Sequence, residues 1–325
     1  MQAARINTIM LAPMAELSHR ALRELIHGFT ARVIPAASAP QVVYFTEMIS
    51  AAGLVAGGPF EKWYEDNGPC PGQLVYQLVG ADTDTLVKAA ILLDRQECLG
   101  IDINMGCSAP AITRTGAGVR WMEDPEKAAR LVEALRKVTK KRLSAKIRLA
   151  PKTAGDAWDL VRFCRGLEEA GLDLITLHPR LAAEKFKRTA RWEYVEILRN
   201  ELHIPVAGNG DIAGVEELAA KAAEGPVMAG RLLVRQPWAF AAVLGGQEAG
   251  NVAVNVIEET GFRFLELLAR HQPPEFHLSR ARRFFKYYCD NLQWAEYLRN
   301  TINREGSLDG ITRVWGEYFT AQKPS

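Results

Sequence analysis

The five cysteines of this chain form no CxxC pair. Cys70, Cys98, Cys107, Cys164 and Cys289 are scattered and odd in number, which argues against a disulfide framework and a zinc site and points to a reducing, cytoplasmic setting. No run of ~18 uncharged apolar residues is present, so no membrane span is expected. Met1 to Ile9 carries one Arg and lacks the apolar core of a secretory signal. Net charge is only +2 over 325 residues, so the global balance carries no nucleic-acid signal. No metal is expected, and a monomer is. Also missing is a Gly-rich turn after the first strand: Pro13-Met14-Ala15-Glu16 is not the phosphate loop of a doubly wound sheet.

What is present is an alternation. Short apolar runs at Ile9–Ala12, Val42–Thr46, Leu74–Leu78, Ile101–Asn104, Leu143–Arg148, Leu174–Leu177, Pro205–Ala207 and Pro226–Ala229 read as strands. Between most of them lie segments of helical period: His19–His27, Thr83–Asp94, Pro125–Lys137, Asp156–Ala170, Trp192–Asn200 and Val215–Ala223. Eight strands, each followed by a crossover, predict a (β/α)8 barrel over residues 1–240. Residues 241–252 are small and Gly-containing and read as a linker. Beyond it Val254–Arg270, Leu278–Cys289 and Gln293–Arg304 are helical without strand alternation, so residues 253–325 read as a small all-helical domain.

Each strand ends in polar groups: Pro13 and Met14, Glu47, Gln77, Asn104 with Cys107, Lys146 with Arg148, His178 with Arg180, Asn209, and Gly230 with Arg231. Singly each has a dull explanation. A lone His is usually structural, Asn209-Gly210-Asp211 can be a turn, and a thiol can be a small buried hydrophobe. In a barrel, however, these positions converge on one mouth. Lys146 suits an anionic or electron-rich ligand atom, and His178 can donate at one nitrogen and accept at the other. Glycines after strands seven and eight are where many barrels hold a phosphate, with Arg231 adding charge.

In order along the chain, Leu11-Ala-Pro-Met14, Thr46-Glu47, Gln77-Leu-Val-Gly80, Asp102-Ile-Asn-Met-Gly-Cys107 and Gly116-Ala-Gly118 are followed by Lys146-Ile-Arg-Leu149, His178-Pro-Arg180, Pro205 to Ile212 and Val227 to Arg231. This ordered set resembles the tRNA dihydrouridine synthases, flavin enzymes that reduce the 5,6 double bond of a uridine in tRNA. The resemblance covers residues 9 to 240, and the helical tail suits the family's tRNA-holding C-terminal bundle. It implies that Pro13, Met14, Gln77, Lys146, His178, Asn209, Asp211, Gly230 and Arg231 line an FMN site. Cys107 would protonate C5 of the uracil while reduced flavin delivers hydride to C6, and NADPH would re-reduce the flavin. Asn104 would orient the base, and Glu47, Arg148 and Arg180 would lie on the substrate side. The family's Gly-Cys-Pro is Gly106-Cys107-Ser108 here, its Arg-Leu-Gly is Arg148-Leu149-Ala150 followed by Pro151, and Pro179 stands where Gly is usual.

Three basic groups bear on the partner. Arg136, Lys137, Lys140, Lys141 and Arg142 sit at a helix end, where cations complement the helix dipole. Lys185, Lys187, Arg188 and Arg191 form a second group. Arg280, Arg282, Arg283 and Lys286 form a third, beside Phe284, Phe285, Tyr287 and Tyr288. The third is the expected tRNA surface. The alternatives are an FMN barrel acting on a free pyrimidine, in the manner of dihydroorotate dehydrogenases, a non-catalytic RNA-binding paralogue, and a flavin-free phosphate-binding barrel.

Overall fold

The computed structural model describes residues 7–33, 42–149, 157–184, 188–246 and 252–321. Lys185 and Lys187 of the second basic group, Ala150, Pro151, Asp156 and residues 247–251 of the expected linker lie outside them.

Eight parallel strands close in sequence order into a barrel: β1 Ile9–Leu11, β2 Val42–Ser50, β3 Leu74–Val79, β4 Gly100–Met105, β5 Arg142–Leu149, β6 Leu174–Leu181, β7 Val206–Asn209 and β8 Val227–Ala229. Closure is made by β1 against β8, with Ile9 opposite Val227 and Leu11 opposite Ala229. The expected (β/α)8 barrel is therefore present.

Two packed clusters divide the strand residues by parity. Ile9, Leu11, Val42, Tyr44, Leu74, Tyr76, Ile101 and Ile103 join the helices in the large core. Their neighbours Met10, Ala12, Val43, Phe45, Val75, Leu174, Ala207 and Met228 form a second cluster, to which the described helices contribute nothing. That second set fills the barrel, because side chains alternate between the two faces of a strand. Continuing the strands in steps of two from the filled end reaches Gln77, Asn104, Lys146, His178, Asn209 and Gly230, whereas on β2 a register shift after Phe45 breaks the alternation before Glu47. The polar strand ends so reached therefore sit on the inward parity.

The crossover helices form where expected, with no bound off by more than three residues: Arg20–Thr30, Thr83–Asp94, Pro125–Val138, Ala157–Glu169, Glu193–Glu201 and Val215–Glu224. Two are capped as their sequences dictate, Asp82 accepting from Thr85 N–H and Asp124 from Lys127 N–H. The linker expectation needs correction at its start. Ala239–Leu244 is a helix, and Phe240, Ala242 and Val243 are buried, so small residues here pack rather than connect.

Beyond residue 252 the described chain is helical: Val254–His271, Pro274–Tyr288, Ala295–Arg304 and Leu308–Thr320. The sequence pattern does not announce the last of these, since Gly310 and Gly316 dilute it, yet Ile311, Val314, Trp315 and Phe319 give it a buried stripe. Aromatic rings dominate this core. Phe264 stacks on Phe284 at 3.7 Å, and Phe285 lies 4.8 Å from Trp315. Helix Val254–His271 packs along Arg20–Thr30, and the same core runs through barrel and tail. No helix among the described residues is long and apolar enough to cross a membrane.

Candidate functional site

A cavity of about 280 Å³ opens at the carboxyl ends of the strands. It is lined by Pro13 and Met14 after β1, Lys146 and Arg148 on β5, His178 and Arg180 on β6, Asn209 to Asp211 after β7, and Gly230 and Arg231 after β8. Arg283 and Tyr287 of helix Pro274–Tyr288 complete the wall, so the tail contributes to the site. Residues from Pro13 to Tyr287 thus meet because strand ends in a closed barrel share one rim.

The rim is cationic. Lys146, Arg148, Arg180, Arg231 and Arg283 face a cavity whose one carboxylate, among the described residues, is Asp211. Asp211 is engaged: it holds the Arg180 guanidinium and accepts from Ala190 N–H at 2.7 Å. Lys146 is half-buried. Desolvation pushes its pKa down to about 8, and Arg148 beside it works in the same direction. Arg148 Nη1 is buried without a hydrogen-bond partner among the described residues. Such a set is a ready anion site, since an anionic ligand would restore the charge balance that burial removes.

His178 is held neutral, its pKa lowered to about 2 by burial first and then by Lys146, Arg148, Arg180 and Arg231. Arg180 Nη1 lies 3.2 Å from His178 Nε2. A guanidinium only donates, so Nε2 is the acceptor and the ring proton sits on Nδ1. Asn209 is fixed by donating to the Met228 carbonyl at 2.8 Å. Gly210 has φ of +121°, and a Cβ there would come within 3.1 Å of both Ala190 and the His178 ring. Only glycine allows this close approach.

Cys107 does not line the cavity but lies close by, within electrostatic reach of Lys146 and Arg148. Its loop is pinned at both ends despite Ser108. Cys107 N–H donates to Asn104 Oδ1 at 2.9 Å, and its carbonyl accepts from Val119 N–H at 3.0 Å. Gly118 (φ +65°) permits the second contact, because a Cβ would fall 2.3 Å from that carbonyl oxygen.

Four expected ligand contacts are placed elsewhere. Gln77 is completely buried, bonded to Asp102 and Asn104 rather than lining the cavity. Asn104 gives its amide to Gln77 and its oxygen to the Cys107 loop. Glu47 follows a register shift between Phe45 and Met48 that re-aims it. It accepts from Glu16 N–H at 2.6 Å and pairs with Arg280 at 3.0 Å. Arg280 therefore leaves the expected tRNA surface: it is 3% exposed and lies over the Phe276 ring at 4.5 Å. Arg282 and Arg283, with Lys286 and Arg299, do line an open groove beside the cavity, and Arg283 also pairs with Glu16 at 2.9 Å. Sequence reasoning missed Asp102 and Ser144. Their signal was their spacing, two residues before Asn104 and Lys146 on the inward parity.

Residues 10–312 match the family model described as dihydrouridine synthase (Dus). A Synechocystis protein named "Probable tRNA-dihydrouridine synthase 1" is 26% identical over 313 residues, covering 92% of this chain and 83% of its own. A "Probable tRNA-dihydrouridine synthase" of Aquifex aeolicus is 28% identical over 268 residues, covering 80% and 78%. Among solved structures, a 2-naphthoyl-CoA reductase complex superposes with a TM-score of 0.53 at 10% identity, over 76% of this chain and 52% of that one. A variant of NCR from Zymomonas mobilis gives 0.50 at 13%, over 85% and 98%. These two likenesses concern the fold alone. With the family model running from β1 into the final helix, the chain belongs to the dihydrouridine synthase family.

Proposed function

We propose that this protein is an FMN-dependent oxidoreductase that reduces the 5,6 double bond of a uridine in tRNA, with NADPH as the electron source. The observation that carries the reading is the cationic cavity at the strand ends with the Cys107 loop beside it. Its lining fits FMN. The buried Arg148 Nη1, without a partner among the described residues, and the half-buried Lys146, whose ammonium pays a desolvation cost, call for an anionic or electron-rich ligand. Gly210 and Gly230 let backbone approach closely, and Ala12, Met14 and Met228 offer an apolar wall for a flat ring.

In this reading Arg231, Gly230 and Gly210 hold the phosphate, while Lys146 and the neutral His178 address the polar edge of the ring system. When bound and reduced by NADPH, FMN would supply hydride for C6. The Cys107 thiol then gives its proton to C5, so that hydride and proton together saturate the bond. Gly118 and Asn104 fix the loop from which that proton leaves. A uridine must be unstacked to reach this depth, and the basic groove of Arg282, Arg283, Lys286 and Arg299 gives its phosphates a path along the C-terminal helices.

The test is direct. Purified protein with FMN, NADPH and an unmodified tRNA transcript is followed by mass spectrometry of the digested nucleosides. The reading expects a uridine to gain two hydrogens; an unchanged tRNA with a free pyrimidine reduced instead would refute it.

A further inference from the structure

Inside the barrel lies a hydrogen-bonded chain that the cavity does not account for. Asp102 on β4 is fully buried, and its register partners are Gln77 on β3 and Ser144 on β5. Asp102 Oδ1 accepts from Ser144 Oγ at 2.6 Å, and Oδ2 accepts from Gln77 Nε2 at 2.7 Å. Gln77 Oε1 accepts from Asn104 Nδ2 at 2.9 Å. Asn104 Oδ1 accepts from the backbone N–H of Cys107 at 2.9 Å and of Gly106 at 3.3 Å.

A carboxylate only accepts, and each primary amide has one donating and one accepting end. Asp102 therefore orients Gln77, and Gln77 orients Asn104. The oxygen of Asn104 is left facing the two loop amides. Reversing the chain would set the Asn104 NH2 group against the Gly106 and Cys107 N–H groups, donor against donor. That arrangement leaves buried polar groups unsatisfied.

We propose that Asp102 is a positioning residue that sets the Cys107 loop through Gln77 and Asn104. Its role in the reaction rests on Cys107 as proton donor; its control of the loop does not. Burial raises the Asp102 pKa to about 6, opposed by the hydrogen bonds from Ser144 and Gln77, so the carboxylate is retained against a desolvation cost. An apolar residue would fill the same place without that cost, which is the mark of a group kept for orientation.

The test exploits the polarity of the chain. Gln77→Met cuts it at nearly constant volume. The double variant Asp102→Asn, Gln77→Glu exchanges the two ends while keeping every bond. The amide introduced at position 102 donates to the carboxylate introduced at position 77. That carboxylate also accepts from Asn104, and Ser144 still donates to the oxygen at position 102. Two readouts are taken on flavin-loaded protein: the rate of Cys107 alkylation by iodoacetamide, resolved by peptide mass spectrometry, and kcat with KM on tRNA.

Gln77→Met should speed alkylation about threefold or more as the loop loosens, and lower kcat about tenfold with KM little changed. The double variant should return both values to within about twofold of the parent, a rescue that general loss of stability would not give. Unchanged alkylation in Gln77→Met, or a double variant no better than it, overturns the proposal. If Gln77→Met fails to fold, the double variant decides alone, and its own failure to fold also counts against the proposal because its bonds are intact. A Cys107→Ala variant with full activity would remove the proton-donor reading while leaving the alkylation result to judge Asp102.

Discussion

Replacing Arg280 by Met separates two ion pairs that lie one helical turn apart and that sequence alone treats alike. Arg280 and Glu47 are 3.0 Å apart with side chains 3% and 5% exposed. Removing the cation strands a carboxylate inside the protein, at a cost of about 3–5 kcal/mol. Loss of the guanidinium from the Phe276 ring, 4.5 Å away, adds up to ~1 kcal/mol. Arg283 and Glu16 are equally close at 2.9 Å, but both side chains are 42% exposed, so Arg283→Met should cost below ~1 kcal/mol. The two variants are compared by urea unfolding, with Glu47→Gln completing a double-mutant cycle whose coupling should exceed about 2 kcal/mol.

The sign with pH follows from Glu47. Burial already raises its pKa against the pull of Arg280, and removing Arg280 raises it further. A carboxyl with a raised folded pKa loses stability as pH rises above its unfolded value of ~4.3. The Arg280→Met penalty should therefore be larger at pH 8 than at pH 5. Equal losses in Arg280→Met and Arg283→Met, or a coupling near zero, would refute the reasoning and return Arg280 to the surface role first expected of it.

Three further outcomes are expected. Cys107→Ala should retain FMN, read by absorbance, yet form dihydrouridine some 10²-fold or more slowly; an unaffected rate removes the thiol from the chemistry. Lys146 in the flavin-free protein has a folded pKa of about 8, below its ordinary value, so the unfolded chain binds more protons between that value and ~10.4. Lys146→Met should thus be more stable than the parent at pH 7, with the difference shrinking as pH rises through this window, as thermal unfolding would record; a constant difference contradicts it. Arg283→Ala with Lys286→Ala should weaken tRNA binding and reduce the salt slope by about 1–2, measured by filter binding; an unchanged slope means that the groove holds no phosphate.

The architecture was legible because hydrophobic period is a local property. Thr83–Asp94 carries its own cap at Asp82 and its own apolar stripe, and the structure returns the same bounds. The barrel followed from counting eight strands, and the inward parity of Lys146, His178 and Asn209 is visible two residues at a time. Helix Leu308–Thr320 escaped because its glycines weaken a pattern that only the fit of Trp315 against Gly261 makes sense of.

What sequence determined by itself was the inventory: which polar groups end which strand, in which order, with Cys107 among them. Which of those groups face a ligand and which face one another was decided only by tertiary structure. Glu47 and Arg280 are 233 positions apart in the chain, and nothing local to either announces the pairing. Gln77 and Asn104 sit at strand ends just as Lys146 does, yet the neighbouring strands give them each other and Asp102 as partners. Hydrogen-bond satisfaction inside a closed barrel is a property of the whole ring of strands. For that reason the Cys107 loop could be singled out from its residues, while the chain that holds it could be read only from the assembled barrel.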